Sequence, residues 1–158
     1  GIANDIPIIG PYNVNKSGSG DMYYKGANML HTLRQLLEDD EKWRTILRGL
    51  NRDFYHQTVT TAQIENYLST HTGIDLGQFF DQYLRTTKIP QLQYKVRAKD
   101  IQFRYTDIVD GFDMPIKITV DAEETWIFPT AEWKTKSFDK EVKTVAVDPN
   151  FFVKSTKM

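Results

Sequence analysis

The spacing of apolar residues changes once along this chain, at Pro90. Before Pro90, apolar residues recur every three or four positions, which is typical of helices that bury one face. After Pro90 they alternate with polar residues, as in Leu92-Gln-Tyr-Lys-Val96, which is typical of strands. The sequence therefore predicts an α+β protein, in which a helical part over residues 1–90 precedes a small antiparallel β-sandwich over residues 91–158.

The first helix is predicted from Asp21 to Leu37, after the flexible approach Lys16-Ser-Gly-Ser-Gly20. Asp21 is expected to cap this helix, because a side-chain oxygen there can accept bonds from its first free N–H groups. Its predicted buried face consists of small, apolar and aromatic residues: Tyr23, Gly26, Ala27, Leu30, Leu33 and Leu37.

Three more helices are predicted before Pro90. The second opens at Asp39-Asp40, and the third combines a capping box at Thr60 and Gln63 with a stop at Gly73. Asp75-Leu-Gly-Gln78 has the same capping spacing before the fourth. Six short strands are predicted after Pro90, which favours an antiparallel sandwich.

Composition limits the classes of partner. The chain has 158 residues and a formal net charge of −1, so there is no electrostatic reason to expect nucleic acid or an anionic membrane. No apolar run approaches the length of a membrane span. Because the chain has no cysteine, a disulfide scaffold and a thiolate metal site are excluded.

The three histidines do not have the spacing of metal ligands. His31, His56 and His71 are far apart, and none has a second histidine or a glutamate at helical ligand spacing. The motif His-Glu-x-x-His is missing from the sequence. We therefore expect no zinc site made by this chain alone.

Tyr23 and Tyr24 form the only cluster that suggests contact with a ligand, at a helix start beside a glycine-rich approach. Spacing alone favours a packing role for them in the core. The surrounding segment, Tyr23-Tyr-Lys-Gly-Ala-Asn-Met-Leu30, resembles the Tyr-x-Lys-Gly segment of the aminopeptidase N family of zinc metallopeptidases, the gluzincins.

The resemblance continues in order along most of residues 21–92. Trp43–Arg48 is similar to the next helix of the family, and Thr60–Leu68 to its short threonine-capped helix. Gly73–Leu84, followed by Ile89-Pro90, is similar to the close of its catalytic domain. The resemblance implies the four-helix C-terminal subdomain of a thermolysin-like catalytic domain, followed by the family's β-sandwich domain.

The family's chemistry implies one catalytic residue in this chain. In these enzymes His-Glu-x-x-His and a later glutamate hold zinc, and a Gly-x-Met-Glu-Asn segment recognises the free amine of the peptide substrate. A tyrosine of the Tyr-x-Lys-Gly segment donates a hydrogen bond to the tetrahedral intermediate. That tyrosine corresponds to Tyr23, two positions before Lys25, and not to Tyr24.

The resemblance therefore implies a fragment of a zinc aminopeptidase, an enzyme that removes N-terminal residues from peptides. The zinc and amine-binding segments are missing from the sequence, so zinc is expected in the full-length protein and no cofactor in this chain. We expect the start, Gly1-Ile-Ala-Asn, to lie inside a longer protein. The chain would pack against the rest of its own catalytic domain, and it would be inactive alone.

Two alternatives remain open. One is a non-catalytic module that binds a protein or a carbohydrate through an aromatic patch of Tyr105, Trp126, Phe128 and Trp133. The alternating pattern favours core positions for most of these aromatic residues. The other is a family member that has lost catalysis and serves as a scaffold.

Overall fold

The computed structural model describes residues 1–14 and 18–158. The helices are α1 (Asp21–Leu37), α2 (Asp40–Asp53), α3 (Thr61–Thr72) and α4 (Gly77–Leu84). The strands are β1 (Gln91–Arg97), β2 (Asp100–Thr106), β3 (Ile116–Val120), β4 (Glu123–Ile127), β5 (Lys134–Ser137), β6 (Val145–Val147) and β7 (Lys154–Lys157). The predicted α+β architecture, with helices before strands, is confirmed. In the described part of the chain, the helices are too short or too polar to cross a membrane.

The strands form two sheets, one in the order β5-β2-β1-β7 and the other in the order β4-β3-β6. Paired strands are antiparallel, except that β7 runs parallel to β1. Buried residues alternate along β2 and β3 and join one hydrophobic cluster that includes Phe103, Tyr105, Ile116 and Ile118. The strand β7 was not predicted, because its sequence, Lys-Ser-Thr-Lys, has no apolar residue; backbone pairing with β1 holds it in place.

The helices and the strands share one core. Tyr83 of α4 is completely buried, and its hydroxyl donates a 2.8 Å hydrogen bond to the carbonyl of Phe152. The buried amide of Gln82 donates to the carbonyl of Asp107 and accepts from the N–H of Val109. The division into a helical domain over residues 1–90 and a sandwich domain over residues 91–158 stays a prediction.

Two predicted caps are confirmed and two are wrong. Asp39 caps α2, and Thr60 with Gln63 forms the capping box of α3, which ends at Gly73 with a φ of 77°. The N-cap of α4 is Leu76, whose side chain cannot accept a hydrogen bond; Asp75, one residue earlier, accepts from the N–H of Gly77 at 3.1 Å. The N-cap of α1 is Gly20, without a side-chain bond, and Asp21 is the first helical residue.

The buried face of α1 also differs from the prediction. Of the predicted face, Leu33 is buried, whereas Tyr23, Ala27 and Leu30 are exposed. The residues that are buried on this helix are mostly polar: Asp21, Lys25, Met29, Thr32 and Leu33. The helix is turned this way because its polar side chains bond to other segments; for example, the Thr32 hydroxyl accepts from the N–H of Phe152 at 2.9 Å. Within the predicted glycine-rich approach, Lys16 and Ser17 lie outside the described residues.

Candidate functional site

Tyr23 lies in the first turn of α1 and faces solvent. Its N–H donates to the carbonyl of Gly20 at 3.3 Å, so its backbone belongs to the helix start. The residue is 69% exposed, and its neighbour Tyr24 is 62% exposed. The expectation that these tyrosines pack in the core of this chain is therefore wrong, and the Tyr23 phenol is free to meet another molecule or another part of a longer protein.

The opposite side of the same turn is held by a buried polar network. The carboxylate of Asp21 accepts from the N–H groups of Ala3 at 2.8 Å and Asn4 at 2.5 Å. The ammonium of Lys25 donates to Oδ1 of Asn4 and to the carbonyl of Thr86, both at 2.8 Å. We call these groups the polar anchor: Asp21, Lys25 and Asn4 with the Thr86 carbonyl.

Burial sets the electrostatics of the polar anchor. Lys25 is 0% exposed and Asp21 is also buried. Removal from water lowers the pKa of Lys25, and the neighbouring carboxylate of Asp21 opposes that shift. Sequence reasoning missed this network, because an aspartate four residues before a lysine on a helix ordinarily indicates a solvated surface pair.

The polar anchor joins three separate segments of the chain. Besides α1, it includes the N-terminal residues 3–4 and the residues that follow α4. A further bond runs from the amide of Asn4 to the carbonyl of Thr87. The N–H of Ile9 donates to the carbonyl of Leu84 at 2.9 Å, so the N-terminal segment also contacts the end of α4. Tyr23 thus lies in a helical turn whose inner side is hydrogen-bonded to two other segments of the chain.

The exposed side of α1 carries large apolar side chains. We call this side the outer face, formed by Met22, Tyr23, Ala27 and Leu30. Beside it, a Cβ added to Gly26 would meet no atom within 4 Å, so this glycine leaves open space. Single exposed apolar residues are ordinary on a protein surface, whereas a contiguous group of them favours an interaction site.

A concave site of about 430 Å³ lies elsewhere, between the start of α4 and the segment before β3. Its lining includes Asp75, Phe79 and Asp113 and does not include Tyr23. The phenol of Tyr23 therefore belongs to an open surface of this chain and not to this cavity.

The described residues do not fit a zinc site. Within residues 1–14 and 18–158, no three His, Cys, Asp or Glu side chains come together in a way that could hold a metal ion. The histidines have unrelated partners: His31 lies 3.0 Å from Oδ1 of Asn150, and His71 lies 2.8 Å from the carbonyl of Tyr67.

The four aromatic residues named for the patch differ in burial, and Trp126 is half-buried. Tyr105 is buried, as the alternating pattern predicts, and its hydroxyl donates to the carbonyl of Met114 at 3.0 Å. Phe128 and Trp133 are exposed, so the expectation of core positions is wrong for them. The ring of Trp133 lies 4.5 Å from Nζ of Lys95 and 4.8 Å from the guanidinium carbon of Arg104. Both cations lie over the face of the Trp133 ring, which is the geometry of a cation–π interaction.

Comparison with known proteins gives a likeness at the level of the fold. No protein-family model matches the chain, and no curated protein sequence matches it. A crystal structure of Legionella pneumophila aminopeptidase A in complex with aspartic acid has a TM-score of 0.68 and is 14% identical, covering 97% of this chain and 20% of that one. The chain has an aminopeptidase-like fold. It spans a fifth of the length of that protein.

Proposed function

We propose that this chain is part of a zinc-dependent aminopeptidase, namely the C-terminal part of the catalytic domain with the β-sandwich that follows it. The observation that carries the proposal is the placement of Tyr23, which is 69% exposed in the first turn of a helix that is tied down on its other side. The resemblance of Tyr23-Tyr-Lys-Gly26 to the family segment and the aminopeptidase-like fold support it.

Tyr23 is the catalytic residue of this proposal. A neutral phenol can donate its O–H to the oxygen that becomes negatively charged when the scissile carbonyl turns tetrahedral. One such donor is typically worth about 3 kcal/mol of barrier. The start of α1 adds a favourable positive potential, because the free N–H groups of a helix point toward its N-terminal end.

Zinc belongs to the longer protein in this proposal. The described residues provide no set of ligands for it, so they would contribute the phenol and part of the wall of the site. The zinc ligands and the segment that recognises the substrate's amine would come from the rest of the catalytic domain. This chain alone is expected to bind no catalytic zinc and to hydrolyse no peptide.

The outer face of α1 supports contact between this chain and the rest of a catalytic domain. Met22 and Leu30 expose apolar surface that a longer catalytic domain would cover, and the open space at Gly26 lets another backbone approach closely. The peptide substrate would bind at the edge of this contact, next to Tyr23.

The proposal is tested by comparing two proteins for zinc content and for turnover of an alanyl chromogenic amide. The full-length protein is expected to carry stoichiometric zinc and to release the amine, whereas the 158-residue chain does neither. Zinc with genuine turnover in the 158-residue chain would refute the proposal that the zinc ligands come from outside this chain. A full-length protein with intact zinc but no turnover would indicate the scaffold.

A non-catalytic binding module is the second candidate, favoured by the exposure of Trp133 and Phe128. In that case a protein or carbohydrate ligand would change the tryptophan fluorescence of the chain, and Trp133→Ala would abolish both the change and the binding. The sequence upstream of Gly1 separates the candidates. An intact His-Glu-x-x-His with a later glutamate supports the peptidase, and an unrelated domain supports the module.

A further inference from the structure

Lys25 is a fully buried cation with a defined set of partners. It is 0% exposed, and its ammonium donates to Oδ1 of Asn4 and to the carbonyl of Thr86, both at 2.8 Å. Burying a charge is costly unless it is paired and hydrogen-bonded. The carboxylate of Asp21, one helical turn earlier, supplies a nearby negative charge. It accepts hydrogen bonds from the backbone N–H groups of Ala3 and Asn4.

The geometry of a helix relates this network to Tyr23. Successive residues turn by about 100°, so Asp21 and Lys25 lie on the same side, about 40° apart. Tyr23 is turned by about 200° from each of them, which places it on the opposite side. The polar anchor therefore holds the turn from within, while Tyr23 projects outward from the same turn.

We infer that Lys25, together with Asp21 and Asn4, is a positioning residue for Tyr23. The polar anchor fixes the first turn of α1 against residues 3–4 and 86, and so it sets the place from which the phenol donates its hydrogen bond. A displacement of about 1 Å in a catalytic group can cost about a hundredfold in rate. This inference rests on the proposed function, because it concerns the donor that the proposal assigns to Tyr23.

A purely stabilising role makes a different prediction. Buried charged groups that are hydrogen-bonded often contribute no more to stability than apolar residues of the same size. If Lys25 acts through Tyr23, its effect on rate requires the Tyr23 hydroxyl. If it merely stabilises the fold, its effect is independent of that hydroxyl, and the two losses multiply.

The test is a double-mutant cycle in the full-length enzyme with Lys25→Met, Tyr23→Phe and the combined variant. Lys25→Met is expected to lower kcat about 10- to 100-fold, with KM and zinc content unchanged. In the Tyr23→Phe background it is expected to change kcat by less than about twofold.

A second variant covers the case in which Lys25→Met fails to fold. Asn4→Gly removes the side chain that accepts from Lys25, and glycine suits the positive φ of 52° at this position. Like Lys25→Met, Asn4→Gly is expected to lower kcat, and only when the Tyr23 hydroxyl is present. Gln82→Leu is the matched control, since Gln82 is also buried and also bridges separate segments. It is expected to reduce stability without any dependence on Tyr23.

Hydrogen exchange in the 158-residue chain adds a measurement that needs no activity. The amide protons of Ala3 and Asn4 donate to Asp21, and Lys25→Met is expected to speed their exchange at least tenfold relative to amides of the β-sheets. Unchanged exchange, or losses of kcat that multiply in the double variant, would overturn the positioning role. If Tyr23→Phe alone leaves kcat unchanged, the proposed function itself fails and this inference fails with it.

Discussion

Tyr23 and Lys25 are two residues apart and lie on opposite sides of the same turn of α1. Tyr23 is 69% exposed, whereas Lys25 is 0% exposed and bonds to Asn4 and Thr86. The polar groups on the inner side of the turn therefore have their hydrogen-bond partners within this chain, whereas the outer side is exposed. In the proposed function, this arrangement leaves the phenol free to act on a molecule bound outside this chain.

Gly26→Ala tests whether the outer face is covered in the longer protein. In the 158-residue chain the new methyl group meets no atom within 4 Å beyond the backbone of its own helix, and alanine is the better helix former. The substitution is expected to stabilise this chain by about 0.5–1 kcal/mol in urea unfolding. In the full-length protein it is expected to be destabilising, because the methyl group would separate two surfaces in close contact.

Gly73→Ala is the control for the effect of alanine itself. The φ of 77° at Gly73 disfavours any residue with a Cβ, so this change is expected to destabilise both proteins. A stabilising effect of Gly26→Ala in both proteins would show that the helix is uncovered at this point in the longer protein too.

Tyr83→Phe tests whether the helices and the sandwich unfold as one unit. The change leaves the carbonyl of Phe152 without its buried donor, which is expected to cost about 1–3 kcal/mol. Because the core is shared, circular dichroism of the helices and fluorescence of the sandwich tryptophans, followed in a Trp43→Phe background, are expected to shift to lower urea concentration together. Tyr55→Phe, at an exposed position, is the control and is expected to change neither signal.

Two separate transitions, with only one of them moved by Tyr83→Phe, would contradict the shared core. Such a result would instead support independent domains over residues 1–90 and 91–158.

The helices and most strands could be predicted because their signals are local. Caps such as Thr60 with Gln63, and the alternation along β2, depend on residues that are neighbours in sequence. The strand β7 escaped prediction because it depends on backbone pairing with β1, which is distant in sequence.

The orientation of α1 could not be predicted, because the usual rule places apolar residues inside. Here Lys25 is inside and Tyr23 is outside. Burial of Lys25 is favourable because it bonds to Asn4 and Thr86, which are 21 and 61 residues away in sequence. No local pattern indicates partners at such distances. Tyr23 itself was identified from the family segment and not from its spacing.

Asp121→Asn tests a contribution to stability that depends on pH. The carboxylate of Asp121 accepts from the N–H groups of Lys143 and Thr144 at 3.0 and 2.8 Å. The bonds to Thr144 are the main reason that its pKa lies below the ordinary value of 3.8. A lowered pKa in the folded state means that the contribution is present above pH 3.8 and is lost as the pH falls toward that lowered pKa.

The measurement is the free energy of unfolding in urea, at neutral pH and below the ordinary aspartate pKa. Asp121→Asn is expected to be less stable than the wild type at neutral pH, with a smaller difference in acid. Asparagine tolerates the positive φ of 47° at this position, so the comparison isolates the charge. Asp139→Asn, an exposed aspartate, serves as the control; an equal difference at both pH values would contradict the role of the Asp121 carboxylate.

The most direct test of the proposed function is the kcat of Tyr23→Phe in the full-length protein, with Tyr24→Phe beside it. Both side chains are exposed in adjacent positions, so the pair differs mainly in which hydroxyl is removed. Tyr23→Phe is expected to lower kcat by about a hundredfold or more, with zinc content unchanged, whereas Tyr24→Phe keeps the wild-type rate. A wild-type kcat in Tyr23→Phe would contradict the assignment of this phenol to the transition state.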